Sequence, residues 1–361
     1  MTADCAGGVW TYSLELARAI GAHGARVTLA LMGPPLTEDK KEDAARIPDL
    51  EVLEGGFKLE WMEDPWDDVR KAGEWLLSVE ERLRPDVVHL NGFCHGGLGW
   101  KSPKLIAAHS CVVSWWEAVH GKALPPEWDR YRREAGNGLN GADAIVAPTN
   151  AMLSSLYRNY FIRPFCAVLP NGRSGEPFGP GKKEEMVFTM GRLWDEAKNV
   201  SAIAEIAHLI PWPVYAAGEG GERMGSALKR LGPLPARSVA GYLSRAKIYA
   251  HPALYEPFGL SVLEAGLSGC ALVISDIPSL RELWDGAAVF VPPRNSGALA
   301  VAINRLIRSP LLLREAAQKA RARALEYDTA RMAEGYMEIY KGLASGRFKP
   351  ERPVKEGRCA L

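Results

Sequence analysis

The sequence is short of several things, and each shortage removes a class of function. Its six cysteines, at positions 5, 94, 111, 166, 270 and 359, form no C-x-x-C pair and keep no even spacing. A disulfide scaffold or a cysteine zinc site needs such spacing, so the thiols are expected to be buried and reduced, as suits a cytoplasmic protein. Net charge is almost absent, because 44 Lys and Arg stand against 43 Asp and Glu. No global field then draws the chain to nucleic acid or to an acidic membrane. No apolar run approaches the ~20 residues that span a bilayer, and Met1-Thr2-Ala3-Asp4-Cys5 is too short and polar for a secretory leader. Peripheral contact with the inner face of a membrane stays open.

Signatures of other chemistries are missing too. There is no Asp-x-Asp pair, no His/Cys cluster at metal-ligand spacing, no Walker loop and no G-x-G-x-x-G after a first strand. Neither a metal nor a dinucleotide cofactor is expected.

What is present is alternation. At 361 residues, 47% hydrophobic and 24% charged, the chain is long enough for two ordinary globular domains. Short β-branched runs at Arg26–Met32, Asp86–Leu90, Lys104–Ala108, Asp143–Ala147 and Phe165–Leu169 read as strands. Between them, Trp10–Ile20 and Trp66–Leu83 keep an apolar period near 3.6. The rhythm restarts with strands at Met186–Met190, Val214–Ala217, Ile248–His251 and Cys270–Ser275, and a helix at Val200–Leu209. This is the pattern of α/β domains with parallel sheets covered by helices on both faces. A Pro- and Gly-rich stretch, residues 170–181, separates the halves, with the boundary near 172. The C-terminal region reads as helical from Ala298 to about Leu343, with Thr329 as cap of the last helix.

Two segments carry chemistry. In Tyr255-Glu256-Pro257-Phe258-Gly259-Leu260-Ser261-Val262-Leu263-Glu264-Ala265, two glutamates flank a turn that leads from a strand into a helix. A turn at the carboxyl end of a parallel strand is where open α/β sheets bind ligands. Gly259 lets an anion approach the backbone, and the N–H groups of the helix's first turn favour a phosphate. Glu264 can accept hydroxyl protons from a ribose, and Glu256 points beyond the phosphates. A solvated turn glutamate and a helix-start glutamate are the plainer alternatives. In Met190-Gly191-Arg192-Leu193-Trp194-Asp195-Glu196-Ala197-Lys198-Asn199, a strand delivers Arg192 and a loop delivers Lys198 to the same sheet edge. A guanidinium fork and an ammonium together can neutralise a diphosphate.

The runs G-R-L-x5-K-N and E-P-F-G-L-x3-E-A, with Ala216-Ala217-Gly218-Glu219-Gly220 between them, resemble family 4 of the retaining glycosyltransferases. The resemblance implies the GT-B fold, two Rossmann-like domains facing a cleft. The expected layout is an acceptor-side domain over 1–171, a donor domain over 172–326, a helix over 327–345 packing back on the first domain, and a disordered tail over 346–361 with Cys359 exposed. It implies that Arg192 and Lys198 bind the donor diphosphate, that Glu264 holds the ribose, and that Glu256 contacts the transferred sugar beside the backbone of Phe258, Gly259, Leu260 and Ser261. Leu234 is the candidate at the nucleobase. Gly7-Gly8 opens the first helix where the family has a Gly-Gly, so Gly8 is a donor contact; only a short first strand fits ahead of it. His109 matches a histidine beside the reaction centre, making His109, Arg192, Lys198 and Glu256 the catalytic set. Trp115 and Trp116 are candidates to stack on an acceptor sugar, or anchors of their loop by burial.

The function expected is metal-independent, retaining transfer of a hexose-type sugar from a nucleoside-diphosphate sugar to a carbohydrate, small-molecule or lipid acceptor. A nucleotide-sugar epimerase of the same fold and a non-catalytic sugar-nucleotide-binding protein are the alternatives.

Overall fold

The computed structural model describes residues 1–5, 7–222 and 224–348. In the first half the strands are β1 (Thr2–Asp4), β2 (Val27–Met32), β3 (Leu50–Glu54), β4 (Val88–Leu90), β5 (Lys104–Ala107), β6 (Ala144–Ala147) and β7 (Phe165–Val168). The second half adds β8 (Glu184–Met190), β9 (Val214–Ala217), β10 (Leu228–Gly232), β11 (Ala246–His251), β12 (Ala271–Ser275) and β13 (Val289–Val291). Every ladder is parallel.

The first half holds the ladders β1-β2-β3 and β4-β5-β6-β7. They meet at β1 and β4, where Asn91 stitches them: its N–H donates to Thr2 Oγ1 (2.8 Å) and its Nδ2 to the Thr2 carbonyl (2.6 Å). The second half is one sheet in the order β10-β9-β8-β11-β12-β13. In both halves the strand order reverses beside the first strand, which opens a crevice at the carboxyl ends. The central strands are buried throughout, as parallel strands covered on both faces must be; β6 and β12 expose no residue.

Three strands, β3, β10 and β13, escape the sequence reading, and all three are sheet edges. An edge strand needs only partial burial, so its apolar signal is diluted; β10 carries Lys229 and Arg230 in mid-strand. The stunted first strand does form, three residues long, in register with Ala30–Met32.

Helix Trp66–Leu83 ends as expected before Pro85, with Arg84 in the left-handed region (φ 47°). The last helix, Thr329–Ala344, lies on helix Gly8–Gly21: Met332, Ala333, Tyr336 and Ile339 pack with Tyr12, Leu16 and Ile20. Its cap is Asp328, whose carboxylate accepts the Arg331 N–H (2.8 Å), not the expected Thr329. Thr149 caps helix Asn150–Asn159 by accepting from Met152 N–H (3.1 Å).

The start of the expected disordered tail is packed: the Phe348 ring stacks on Phe165 at 4.2 Å. Residues 349–361, including Cys359, lie outside the described residues. Among the described cysteines all are free; Cys5, Cys111 and Cys270 are buried, whereas Cys94 and Cys166 are only partly so. No helix among the described residues is long and apolar enough to cross a membrane.

Candidate active site

The two halves face each other across the carboxyl ends of their strands. Helix Leu260–Leu267 starts one residue after Gly259, which sits at φ 90° and caps it. A side chain there would be strained by the backbone and would press on Val262 Cγ2 (3.2 Å) and Glu256 Cγ (3.3 Å). Gly259 thus fixes the turn that carries Glu256. The start of helix Gly8–Gly21 comes up against this turn, a Cβ on Gly8 being 3.5 Å from Leu260 Cδ1. A Cβ on Gly7 would be 3.5 Å from Arg192 Nη1. Two helix N-termini and a guanidinium therefore meet at one place, an arrangement suited to an anion.

Each expected cation holds a carboxylate. Lys198 Nζ donates to Glu256 Oε2 at 2.6 Å, and His251 Nε2 donates to the same oxygen at 3.1 Å. Burial pushes the Glu256 carboxyl up, but Lys198 and the His251 hydrogen bond together outweigh it and hold the group far below the usual carboxylate range. Glu256 is therefore an anion here and has no proton to give. Lys198 itself ends a short turn, Glu196–Lys198, and the next helix opens at Val200, after Asn199 in the left-handed region (φ 51°). Lys198 thus stands just ahead of that helix, with Asn199 at its N-cap position.

Arg192 Nη2 donates to Asp195 Oδ2 at 2.7 Å, and its guanidinium lies 5.3 Å from the Trp194 ring. Asp195 is the residue the sequence reading passed over. Its buried carboxylate caps the Glu196–Lys198 turn through Ala197 N–H (3.0 Å) and accepts Trp115 Nε1–H across the cleft (3.2 Å). One side chain so positions both Arg192 and the turn that carries Lys198, and fastens the opposite domain. Its signal was local: an Asp three residues before Lys198 can cap the turn that presents it.

The segment after His109 is helical, Val112–His120. Asp195 holds Trp115 near the start of this helix, and Arg294 Nη2 caps its C-terminal carbonyls, reaching Ala118 O at 3.0 Å. Trp116 packs at a tilt against His120, ring centroids 4.1 Å apart. Trp115 therefore ties this helix to the C-terminal half, while Trp116 packs within its own helix. His109 Nε2 donates to Asn91 Oδ1 at 2.9 Å, and its ring packs edge-on against Tyr12 at 4.2 Å. Burial pulls its pKa down to about 4, leaving a neutral imidazole. Two residues on, Cys111 N–H donates to Tyr255 OH (3.1 Å), which brings the His109 segment against the Glu256 turn.

The remaining candidates divide by what they expose. Phe258 is buried in the core of the C-terminal domain, edge-on to Tyr327 at 5.9 Å, so only its backbone is left for a ligand. Leu260 packs with core residues of both domains, and Ser261 lies in the first turn of its helix. Leu234 follows β10, whose last residue fixes the Gly-Glu-Gly loop through Gly218 N–H to the Gly232 carbonyl (2.8 Å). Glu264 is buried and paired with Arg173 Nε at 2.8 Å.

Residues 6–174 match the family described as Glycosyltransferase Family 4, and residues 184–309 match Glycosyl transferases group 1. A phosphatidyl-myo-inositol mannosyltransferase of Mycobacterium leprae is 31% identical over 309 residues, 82% of this chain and 77% of that protein. A glycogen synthase of Mycobacterium tuberculosis is 25% identical over an alignment of 361 residues, 88% of this chain and 83% of its own. An Anabaena protein solved in complex with UDP-glucose superposes with a TM-score of 0.75 at 17% identity, covering 95% of this chain and 100% of that one. With both halves matched, and with a relative of this identity along most of its length, the chain belongs to glycosyltransferase family 4 (group 1) and is a glycosyltransferase of the GT-B fold.

Proposed function

We propose that the cleft transfers a hexose-type sugar from a nucleoside-diphosphate sugar to an acceptor hydroxyl, with retention and without a divalent ion. The observation that carries this reading is the pair Lys198–Glu256 beside Arg192, where two helix N-termini converge. On donor binding, Lys198 and Arg192 turn from their carboxylates toward the diphosphate and supply the charge a metal supplies elsewhere. The Gly8 and Gly259–Ser261 backbones face the phosphates, Glu264 takes the ribose, and the backbone near Leu234 takes the base. The UDP-glucose complex of the Anabaena protein supports a nucleotide sugar as ligand class.

Retention without a protein nucleophile follows a front-face route. The acceptor oxygen bonds to the anomeric carbon on the face from which the phosphate departs. The bond from that carbon to the β-phosphate oxygen breaks, and the acceptor proton passes to that oxygen. Glu256, an anion already shared by Lys198 and His251, positions the sugar rather than donating a proton. His109, neutral and oriented by Asn91, has its other ring nitrogen to accept a hydrogen bond from a sugar hydroxyl and adds no positive charge there.

The test is turnover of Lys198→Ala, scored as nucleotide release from UDP-, GDP- and ADP-sugars with candidate acceptors. A loss of about 100- to 1,000-fold is expected for removing a charge that stabilises the leaving group. Turnover near that of the wild type sinks the assignment.

A further inference from the structure

Outside the Lys198 and Arg192 pairs, the most heavily buried cluster of charge is Glu15–Arg173–Glu264. The three side chains are 5%, 10% and 10% exposed, and each comes from a different part of the fold. Glu15 is on the acceptor-side helix Gly8–Gly21, Arg173 in the linker between the domains, and Glu264 on the donor-domain helix Leu260–Leu267. Arg173 Nη1 donates to Glu15 Oε1 and Arg173 Nε to Glu264 Oε1 (2.8 Å); the Ser174 N–H adds a bond to Glu15 Oε2 (3.1 Å). The guanidinium lies over the Phe178 ring at 4.8 Å, and the Arg173 N–H donates to the Tyr327 carbonyl (3.1 Å), which fixes it from two further sides. Arg173 is a rigidly held cation that engages one oxygen of Glu264 and leaves Oε2 to a ligand.

We infer that Arg173 is the positioning residue of the ribose site, holding the Glu264 carboxylate in place for the two ribose hydroxyls. This rests on the reading of Glu264 as ribose ligand given above. The physical need is plain. A carboxylate buried in a helix drifts toward its protonated form, which can offer a ribose only one good acceptor oxygen. Burial, with Glu15 adding to it, pushes Glu264 up, and Arg173 is the group that offsets part of that rise. An arginine fixed at Nε also sets the carboxylate plane, so hydroxyls meet Oε2 without a rotamer search. Glu15 competes for the same guanidinium from the other domain, so the tightness of the ribose grip is tied to how the linker sits between the halves.

The test compares binding of a nucleoside diphosphate with its 2′,3′-dideoxy counterpart by calorimetry, using whichever of UDP, GDP and ADP raises thermal stability most. In the wild type the dideoxy form binds about 10- to 100-fold more weakly, the worth of hydrogen bonds to a charged acceptor. In Arg173→Gln that ratio falls to within about threefold, because ribose binding is lost selectively, while Arg173→Lys restores part of it. Glu15→Gln keeps the wild-type ratio or widens it, since Arg173 is then left to Glu264 alone. A wild type that does not discriminate overturns the ribose reading of Glu264 and this inference with it. A discriminating wild type with an equally discriminating Arg173→Gln overturns the inference alone. Equal collapse in Glu15→Gln and Arg173→Gln assigns the triad to holding the linker and overturns it too.

Discussion

Replacing Glu256 by Gln isolates what its charge contributes. In the protein as described, Oε2 accepts from Lys198 Nζ at 2.6 Å and from His251 Nε2 at 3.1 Å, with the Lys198 and Glu256 side chains 20% and 12% exposed. An amide can keep one of these bonds but not the charge, and it leaves the Lys198 ammonium partly buried without a counter-ion. Losing a charged hydrogen bond in such a setting costs about 2 kcal/mol at neutral pH. For a domain of this size, that corresponds to a fall in Tm of roughly 4–8 °C.

The pH dependence supplies a sharper check. The folded pKa of Glu256 is held far below the usual range by Lys198 and His251 against the opposing effect of burial. A depressed carboxylate contributes stability that is complete above its unfolded pKa, about 4.3, and is lost as pH falls below it. Between pH 6 and pH 3.5 the wild type loses about 1.2 kcal/mol through this one group, a loss the Gln variant cannot show. The gap in Tm between the two proteins therefore narrows by roughly 2–5 °C as pH drops across that window. Differential scanning calorimetry of both proteins from pH 6 to 3.5 measures it. A gap that stays constant, or widens in acid, refutes the account of Glu256 as a paired anion.

Other perturbations probe the neighbouring parts. Asp195→Ala removes the acceptor of Arg192, Trp115 and Ala197 together; a stability loss of about 3 kcal/mol is expected by chemical denaturation, and Trp115 fluorescence should report the freed indole. Burial lowers His109 to about 4, so the unfolded chain takes up a proton that the folded one refuses between pH 6.5 and 4. Stability should fall as pH drops through that window, and His109→Gln should flatten part of that slope in thermal melts. Gly259→Ala forces a side chain to φ 90° against Val262 and Glu256; a cost of about 1–2 kcal/mol, with turnover reduced by more than stability, is the expected pairing. Glu282, on helix Pro278–Trp284 of the C-terminal domain, accepts from Asn150 and Ala151 at the start of helix Asn150–Asn159, with bonds of 2.8 to 3.0 Å. Glu282→Ala should loosen the meeting of the two domains, seen as a larger radius of gyration in small-angle scattering without ligand.

How far the sequence disclosed this arrangement depends on whether each residue's partner lies nearby in the chain. Arg192, Lys198 and Glu256 were legible because each stands at a strand end or turn whose local pattern already says where it points. The central strands were legible because burial on both faces leaves continuous apolar runs, while β3, β10 and β13 were not, being edges that tolerate charge. Glu264 marks the limit: its place on the first helix after the turn could be read, but its partner Arg173 lies 91 residues away and Arg173's other partner 158 away. No periodicity or capping rule joins positions that far apart; only the folded path of the linker past the two helices does. Trp115 makes the same point from the acceptor side. Read alone, an aromatic beside a cleft is a platform for a sugar, yet its indole N–H is committed to Asp195, 80 residues on. Trp115 is half-buried, and its N–H bond to the Asp195 carboxylate fixes the indole's place and sets how closely that cleft wall approaches Arg192.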